Sequence, residues 1–324
     1  MVSNHWYIYS TDRRLDLDRK NIVTDSYIHN QLRIFVTAVS HLSRYKMVSD
    51  KIYTAQADTL KKSDALLPEW SSQLSDGTIN YFYYQCPSTG GDLSAPPIRL
   101  MLKDRLEHNA LLQVKTYHWL LAEAYEAFED FLENVYAYCG LQGLSLWEPP
   151  LEGLDSTPTT LEGFLKVRYK KGARTPYRQL EGLRKNSVHF AQRETGVFTG
   201  NNYRVGFVLI EKFRHDIVHE GGYTNDLRHR ISLIQGLVPQ PFRKAIKGYV
   251  ESYYIEHKGR HLIHLLEIPS EGEHGAPDGS YLDTMTGLFR TLVEYAQLII
   301  DSIVVHIAEN ERSDVSAEDS GMPE

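Results

Sequence analysis

The chain has 324 residues, enough for one large domain or two modest ones with a sizeable buried core. Its formal charge of -7 is mild and does not by itself indicate a nucleic-acid partner, which a local basic patch would have to bind. Two cysteines, Cys86 and Cys139, lie far apart without metal-ligand spacing, which argues against a disulfide framework and favours a reducing compartment, by default the cytoplasm.

The first residues carry no basic segment followed by an apolar run, and no apolar run reaches the ~18 residues of a membrane helix. We therefore expect neither a secretory signal nor a membrane span. From Ser26 to Pro68, apolar residues recur at steps of three and four, which predicts one long or two consecutive helices. A loop with several Gly and Pro breakers follows up to Pro97, and its aromatic run Tyr81–Tyr84 is typical of a packing strand or tucked loop. Residues 1–97 are thus predicted to form a mostly helical extension of unassigned role.

The clearest predicted helix runs from Leu106 to Tyr138 and ends at Gly140. Its apolar face should lie in the core. Its other face is acidic and most simply solvated, although one of its carboxylates could pair with Arg214. These acids are Glu123, Glu126, Glu129, Asp130 and Glu133.

A basic segment follows, with nine Lys or Arg and the single acid Glu181 between residues 166 and 193. Such a run is usually a solvated face, but a surface for the phosphate backbone of RNA is a serious alternative here. The candidate RNA-binding residues are Lys166, Arg168, Lys170, Lys171, Arg174, Arg178, Arg184 and Lys185, with Arg193 at the end of the segment.

A helix from about Asn202 to His219 carries an anomaly. At 100° per residue, Arg214 falls within an apolar stripe formed by Tyr203, Phe207, Ile210, Ile217 and Val218. An unpaired buried guanidinium would cost several kcal/mol, so Arg214 should meet a carboxylate, an oligomer interface or a ligand.

Two histidines accompany that arginine near the end of the same helix. His215 and His219 are four residues apart and should stack, and the glycine pair 221–222 is a typical helix stop. Taken alone, this cluster is most simply a helix end where basic side chains interact with the exposed carbonyls.

The remaining elements are a short helical stretch from Leu227 to Leu237, a β-hairpin with strands at 249–255 and 261–268, and a last helix with Leu282 to Ile303 on one face. The acidic tail 309–324 is predicted to be disordered. The histidines 257, 261, 264 and 274 match no zinc spacing, and pairing His215 with Asp216 as metal ligands lacks supporting residues. We therefore expect no metal and no cofactor.

The hexad Arg214–His219 with the glycines after it resembles the signature of the HEPN superfamily (higher eukaryotes and prokaryotes nucleotide-binding), and Trp119–Leu132 resembles the first helix of its bundle. The resemblance implies a mainly α fold: an antiparallel HEPN-like helical bundle over 98–308, with a hairpin and loop inserted at about 240–280. His215 stands where Asn or Asp is commoner in the family.

The resemblance also implies an activity. Family members are often dimeric, metal-independent endoribonucleases that resemble toxins and anti-phage effectors. His219 would then act as general base or acid, Arg214 would hold the scissile phosphate, and His215 would orient it, giving a 2′,3′-cyclic phosphate. The implied partners are RNA, a second copy of the chain, and an antitoxin or regulatory protein. The alternative is a non-catalytic HEPN-like module that binds nucleic acid or nucleotide, with Arg214 in a structural role.

Overall fold

A computed structural model describes residues 26–66, 83–94, 101–144, 146, 158–170, 176–195, 202–238, 240, 243–269 and 281–319. The described chain is mainly helical, as predicted. Its helices are α1 (Ser26–Ala65), α2 (Leu102–Leu141), α3 (Leu161–Lys170), α4 (Pro176–Asn186), α5 (Val188–Glu194), α6 (Tyr203–Glu220), α7 (Leu227–Gln235), α8 (Arg243–Glu251) and α9 (Thr284–Asp319). The short strands are β1 (Tyr83–Gln85), β2 (Asp92–Ser94), β3 (Tyr223–Thr224), β4 (Tyr254–His257), β5 (Arg260–Ile263), β6 (Ile268–Pro269) and β7 (Tyr281–Leu282).

The chain divides into two compact units, one formed by residues 1–43 and 119–324 and the other by residues 44–118. The division does not fall at the expected boundary between residues 97 and 98. It falls within α1 and α2 instead. Each of these helices runs unbroken for 40 residues, and each contributes one part to either unit. Of the predicted N-terminal extension 1–97, residues 1–25, 67–82 and 95–97 lie outside the described residues.

The smaller unit is held together by a polar network between its two helical arms. Asp50 accepts hydrogen bonds from Tyr117 and from Gln113, the latter at 2.9 Å, and forms an ion pair with Lys46 at 3.1 Å. Lys46 is only 5% exposed, whereas the Asp50 side chain is 28% exposed, so the pair is partly shielded from water. The antiparallel hairpin β1–β2 belongs to this unit and includes the end of the aromatic run, with Tyr84 exposed.

The core of the larger unit is an aromatic cluster where α2, α6 and α9 meet. The ring centroids of Phe128, Phe207 and Tyr295 lie 5.5 to 5.9 Å apart. A Cβ added at Gly206 would lie 2.6 Å from Cγ2 of Thr291, so the glycine permits the close approach of α6 to α9. The predicted core helix is thereby confirmed, since α2 spans 102–141 and buries its apolar face.

The predicted β-hairpin is present but shorter than expected. Strands β4 and β5 pair across Lys258 and Gly259, whose positive φ values of 52° and 74° make a tight turn, and β3 completes a sheet in the order β3-β5-β4. The expectation of a strand from residue 249 is wrong, because residues 243–251 form α8. The spacing of Ile246 and buried Val250 is helical, and it prevails over the β-propensity of Tyr249 and Val250.

The last predicted helix is confirmed and is longer than expected. Helix α9 continues to Asp319, into the tail 309–324 for which we expect disorder, while 320–324 lie outside the described residues. Within the described chain, Thr284–Asn310 is the one stretch long and apolar enough to cross a membrane, and 44% of its most apolar window is buried inside the protein. Core helices of globular domains commonly have this composition.

Candidate functional site

Helix α6 carries the motif and is capped at both ends by its own sequence. The side chain of Asn202 accepts a hydrogen bond from the amide of Val205 at 3.0 Å. At the other end, Gly221 adopts a left-handed conformation with φ 64°, and the amides of Gly221 and Gly222 both donate to the carbonyl of Asp216. The predicted glycine stop is confirmed, and it fixes where the turn carrying His219 ends.

Arg214 lies at the margin of the core rather than in the middle of a buried stripe. Tyr203, Phe207, Ile210 and Ile217 are buried as predicted, but Val218 is 48% exposed and the Arg214 side chain is 31% exposed. The apolar stripe therefore continues beyond the region that other helices cover, and Val218 at its end faces solvent.

The carboxylate that meets Arg214 is Glu126 of α2. Nη2 of Arg214 lies 3.4 Å from Oε1 of Glu126, whose side chain is 57% exposed, while Nε of Arg214 is buried and has no hydrogen-bond partner among the described residues. A long, exposed contact of this kind contributes little stability. The surroundings are acidic: burial raises the pKa of Tyr125, nearby Glu129 and Glu211 raise it further, and Arg214 opposes them.

The two histidines meet as the spacing predicted. The ring centroids of His215 and His219 are 4.7 Å apart with 52° between the ring planes, and both side chains are exposed. An exposed imidazole pair can reach a solvent-borne substrate and exchange protons with it near neutral pH. This is the chemical capacity of the motif.

Arg214 and His219 occupy different sides of α6 on an ideal helical projection. At 100° per residue, five positions turn the helix by about 140°, whereas His215 and His219 differ by only about 40°. Val218 falls between Arg214 and the histidines on this projection. On the helical projection, the Cα–Cβ directions of Arg214 and His219 therefore diverge within one copy of the chain.

Asp216, within the motif itself, has a role that sequence reasoning missed. Its side chain is 1% exposed, and its Oδ1 lies 2.5 Å from Nη2 of Arg230 on α7. Burial raises the pKa of Asp216, and the charge of Arg230 opposes that shift. Position 216 lies opposite the predicted apolar stripe, so only Leu209 and Phe213 on its own side of the helix could have indicated its burial, and nothing in the sequence selects Arg230 as its partner.

The β4–β5 hairpin contacts the residues that follow Arg214–His219. Arg260 of β5 lies 3.4 Å from Glu220, donates to Asn225 at 3.0 Å, and places its guanidinium 4.9 Å from the Tyr223 ring centroid. The hydroxyl of Tyr223 lies 2.9 Å from Nδ1 of His257. The described chain contains no group of three or more residues that could hold a metal ion, so the histidines here do not assemble a ligand set.

The basic segment divides into residues with different surroundings. Lys166 and Arg178 are exposed, and Lys166 pairs with Glu162 at 2.5 Å. Lys185 is also exposed, at the end of α4. Arg168 and Lys170 belong to α3 without described side chains, and Lys171 and Arg174 lie outside the described residues.

Arg184 is a correction to the predicted RNA-binding set. Its Nε and Nη2 bind the two carboxylate oxygens of Glu194 at 2.7 and 2.6 Å, and Glu194 in turn accepts a hydrogen bond from Tyr295. Burial disfavours the charged guanidinium, but the hydrogen bond to Glu194 and the charge interactions with Tyr295 and Glu194 together outweigh it, so the pKa of Arg184 is raised. This arginine is an internal structural group, with a side chain only 11% exposed.

The chain matches no protein-family model, no curated protein and no solved structure.

Proposed function

We propose that this protein is a metal-independent endoribonuclease that cuts RNA by attack of a ribose 2′-hydroxyl on the adjacent phosphate. The observation that carries the proposal is the exposed His215–His219 pair, next to Arg214, on the glycine-capped end of a helix in a helical bundle. The hexad and the bundle resemble HEPN ribonucleases, and the resemblance supports the reaction class by analogy.

Each residue has a distinct task in the proposed reaction. His219 removes the proton from the 2′-hydroxyl, or supplies one to the leaving 5′-oxygen, and the products are a 2′,3′-cyclic phosphate and a 5′-hydroxyl. Arg214 binds the phosphate and stabilises the charge that grows on its oxygens. His215 donates or accepts a hydrogen bond that orients the phosphate.

The proposed active site is shared between two copies of the chain. The divergence of Arg214 and His219 by about 140° supports this, because one phosphate is reached more easily by arginine and histidine from opposite subunits. Val218, exposed between them, supplies apolar surface for such an interface. Trp119 adds to it, since it is 68% exposed and lies seven residues before Glu126 on the same face of α2.

The ion pair with Glu126 is compatible with this task. Two exposed side chains in contact at 3.4 Å hold each other weakly, so a phosphate dianion or diester can replace Glu126 as the partner of Arg214. Lys166, Arg178 and Lys185 then bind the RNA backbone on either side, with Arg168, Lys170, Lys171 and Arg174 as further members of the set. We place this activity in the cytoplasm, as a toxin or anti-phage effector whose trigger or antitoxin is another protein.

A second candidate function is a non-catalytic HEPN-like module that binds nucleic acid or nucleotide. The acidic surroundings of Arg214 favour it, since Glu126 neutralises the arginine within its own chain and Glu211 lies nearby. In that case Arg214 fixes α6 to α2 and the histidines are surface residues.

The decisive experiment is incubation of purified protein with total RNA in EDTA. We expect wild type to cleave and to leave 2′,3′-cyclic phosphate ends, whereas Arg214→Ala and His219→Ala should lose about 100-fold or more of the rate. Arg228→Ala and His229→Ala are matched controls, since both residues are exposed on α7 outside the motif, and they should cleave like wild type. Cleavage that needs a divalent metal, or that survives in both motif variants, contradicts the ribonuclease. RNA binding without cleavage supports the second candidate.

A further inference from the structure

Asp216 is the one acidic residue in the last two turns of α6 that is buried. Its neighbours His215 and His219 are exposed, while its own carboxylate faces inward and pairs with Arg230 at 2.5 Å. The second carboxylate oxygen, Oδ2, is also buried and has no hydrogen-bond partner among the described residues. The environment of Asp216 therefore imposes a desolvation cost on its charged form.

Stability alone does not explain this ion pair. The Asp216 side chain is 1% exposed and that of Arg230 is 20% exposed, so the carboxylate bears most of the cost of leaving water. Replacing such a salt bridge by apolar residues of similar size is often neutral or stabilising, because that cost largely offsets the attraction between the charges. The unpartnered Oδ2 makes the balance less favourable still. A pair kept under these conditions is better explained by the geometry that it imposes.

The geometry imposed by Asp216 concerns the turn that carries His219. Its side chain ties α6 to α7, and its carbonyl accepts the amides of Gly221 and Gly222, which end the helix. The carbonyl of Gly222 in turn accepts the amide of Ile263 of β5 at 2.9 Å. The side chain of Asp216 and the contact of Gly222 with Ile263 thus both fix the rotation of the last turn about the helix axis, and the direction of both imidazoles depends on that rotation.

We propose that Asp216 and Arg230 are positioning residues that hold the His215–His219 pair in its working orientation. The proposal rests on the proposed ribonuclease function, which assigns the histidines their task. Neither Asp216 nor Arg230 touches the RNA. Their effect reaches the reaction through the orientation of His219, and small errors in the placement of a catalytic group are known to be costly for rate.

The test uses the full chain with Asp216→Asn and with the double variant Asp216→Leu/Arg230→Met. We expect Asp216→Asn to lower kcat by about 10- to 100-fold while KM for RNA changes little. The double variant should recover the unfolding midpoint of wild type but not its kcat. If the double variant recovers kcat as well as stability, the positioning role is excluded. It is also excluded if the loss of kcat in Asp216→Asn is no larger than its unfolded fraction explains.

An independent readout separates this proposal from the ribonuclease itself. The ring resonances of His215 and His219 are followed by NMR in wild type and in both variants, with exposed His41 on α1 as an internal reference. We expect the two motif resonances to shift or broaden in both variants while His41 is unchanged. If wild type does not cleave RNA, the proposed function fails but this result still stands; unchanged motif resonances overturn the positioning role whatever the activity.

Discussion

Among the described side chains of the basic segment, Arg184 makes the most extensive ionic contact. Its guanidinium binds both oxygens of a carboxylate that is almost inaccessible to water, and its plane lies 5.5 Å from the centre of the Tyr177 ring. Replacing Arg184 by Ala leaves the Glu194 charge buried without its counter-ion. We expect Arg184→Ala to lower the free energy of unfolding by about 3–5 kcal/mol, measured by urea denaturation.

Arg178 is the matched control for that substitution. It lies on the same helix but is exposed, so Arg178→Ala should change the free energy of unfolding by less than about 0.5 kcal/mol. The double variant Arg184→Met/Glu194→Gln should regain much of the lost stability, because Gln still accepts the hydrogen bond of Tyr295. Equal stability of the Arg184 and Arg178 single variants would show that the buried pair contributes nothing.

The partners of individual charged residues were the hardest features to predict from the sequence. Arg184 and Arg178 stand in the same basic run with the same local signal, and only Glu194 and Tyr295, the latter more than a hundred positions away, distinguish them. The partner of Arg214 was narrowed to five acids by periodicity, but the choice of Glu126 depends on how α2 packs against α6. Hydrophobic period identifies a face, whereas the partner of a charge depends on tertiary packing.

At the scale of elements, the C-terminus of α6 depends on a glycine that the sequence identified. Gly221 has φ 64°, a conformation in which a Cβ costs about 1–2 kcal/mol. We therefore expect Gly221→Ala to lower the free energy of unfolding by about 1–2 kcal/mol, measured by urea denaturation. It should also displace the turn that carries His219.

Gly248 provides the comparison for that prediction. It lies within α8 in an ordinary helical conformation, and an added Cβ there meets nothing within 4 Å. Gly248→Ala should be neutral or stabilise by about 0.5–1 kcal/mol. Similar destabilisation by both substitutions would mean that backbone conformation at Gly221 is not the cause.

The long helices were predictable because periodic apolar residues and clear stops agree along α2, α6 and α9. The region after α7 was harder, since the aromatic and β-branched residues at 249–255 suit both a strand and the end of a helix. Helix α8 buries Val250 and so takes the first part of that run, while the turn at Lys258 and Gly259 fixes the hairpin that follows. Where two local preferences compete, burial decides.

At the scale of the whole molecule, the face of α6 that carries Arg214 and Val218 is open to solvent in one copy of the chain. In a twofold dimer each interface contains the same surface twice, so a site built from Arg214 of one subunit and His219 of its mate occurs twice. Such sites can be tested by mixing two inactive variants. A subunit with Arg214→Ala still offers His219, and a subunit with His219→Ala still offers Arg214.

The Arg214→Ala and His219→Ala variants are mixed in equal amounts, dissociated and allowed to reassociate. Half of the dimers are then mixed, and each mixed dimer has one intact site of two. We therefore expect the mixture to recover about a quarter of the wild-type cleavage rate. Light scattering during gel filtration verifies that dimers have re-formed. Val218→Glu in both subunits places like charges at the interface and should abolish dimer and recovered activity together. The opposite result is a mixture that forms dimers but stays inactive while wild type cuts RNA. In that case Arg214 and His219 act within one subunit, and Arg214 must leave Glu126 and turn toward the histidines of its own helix.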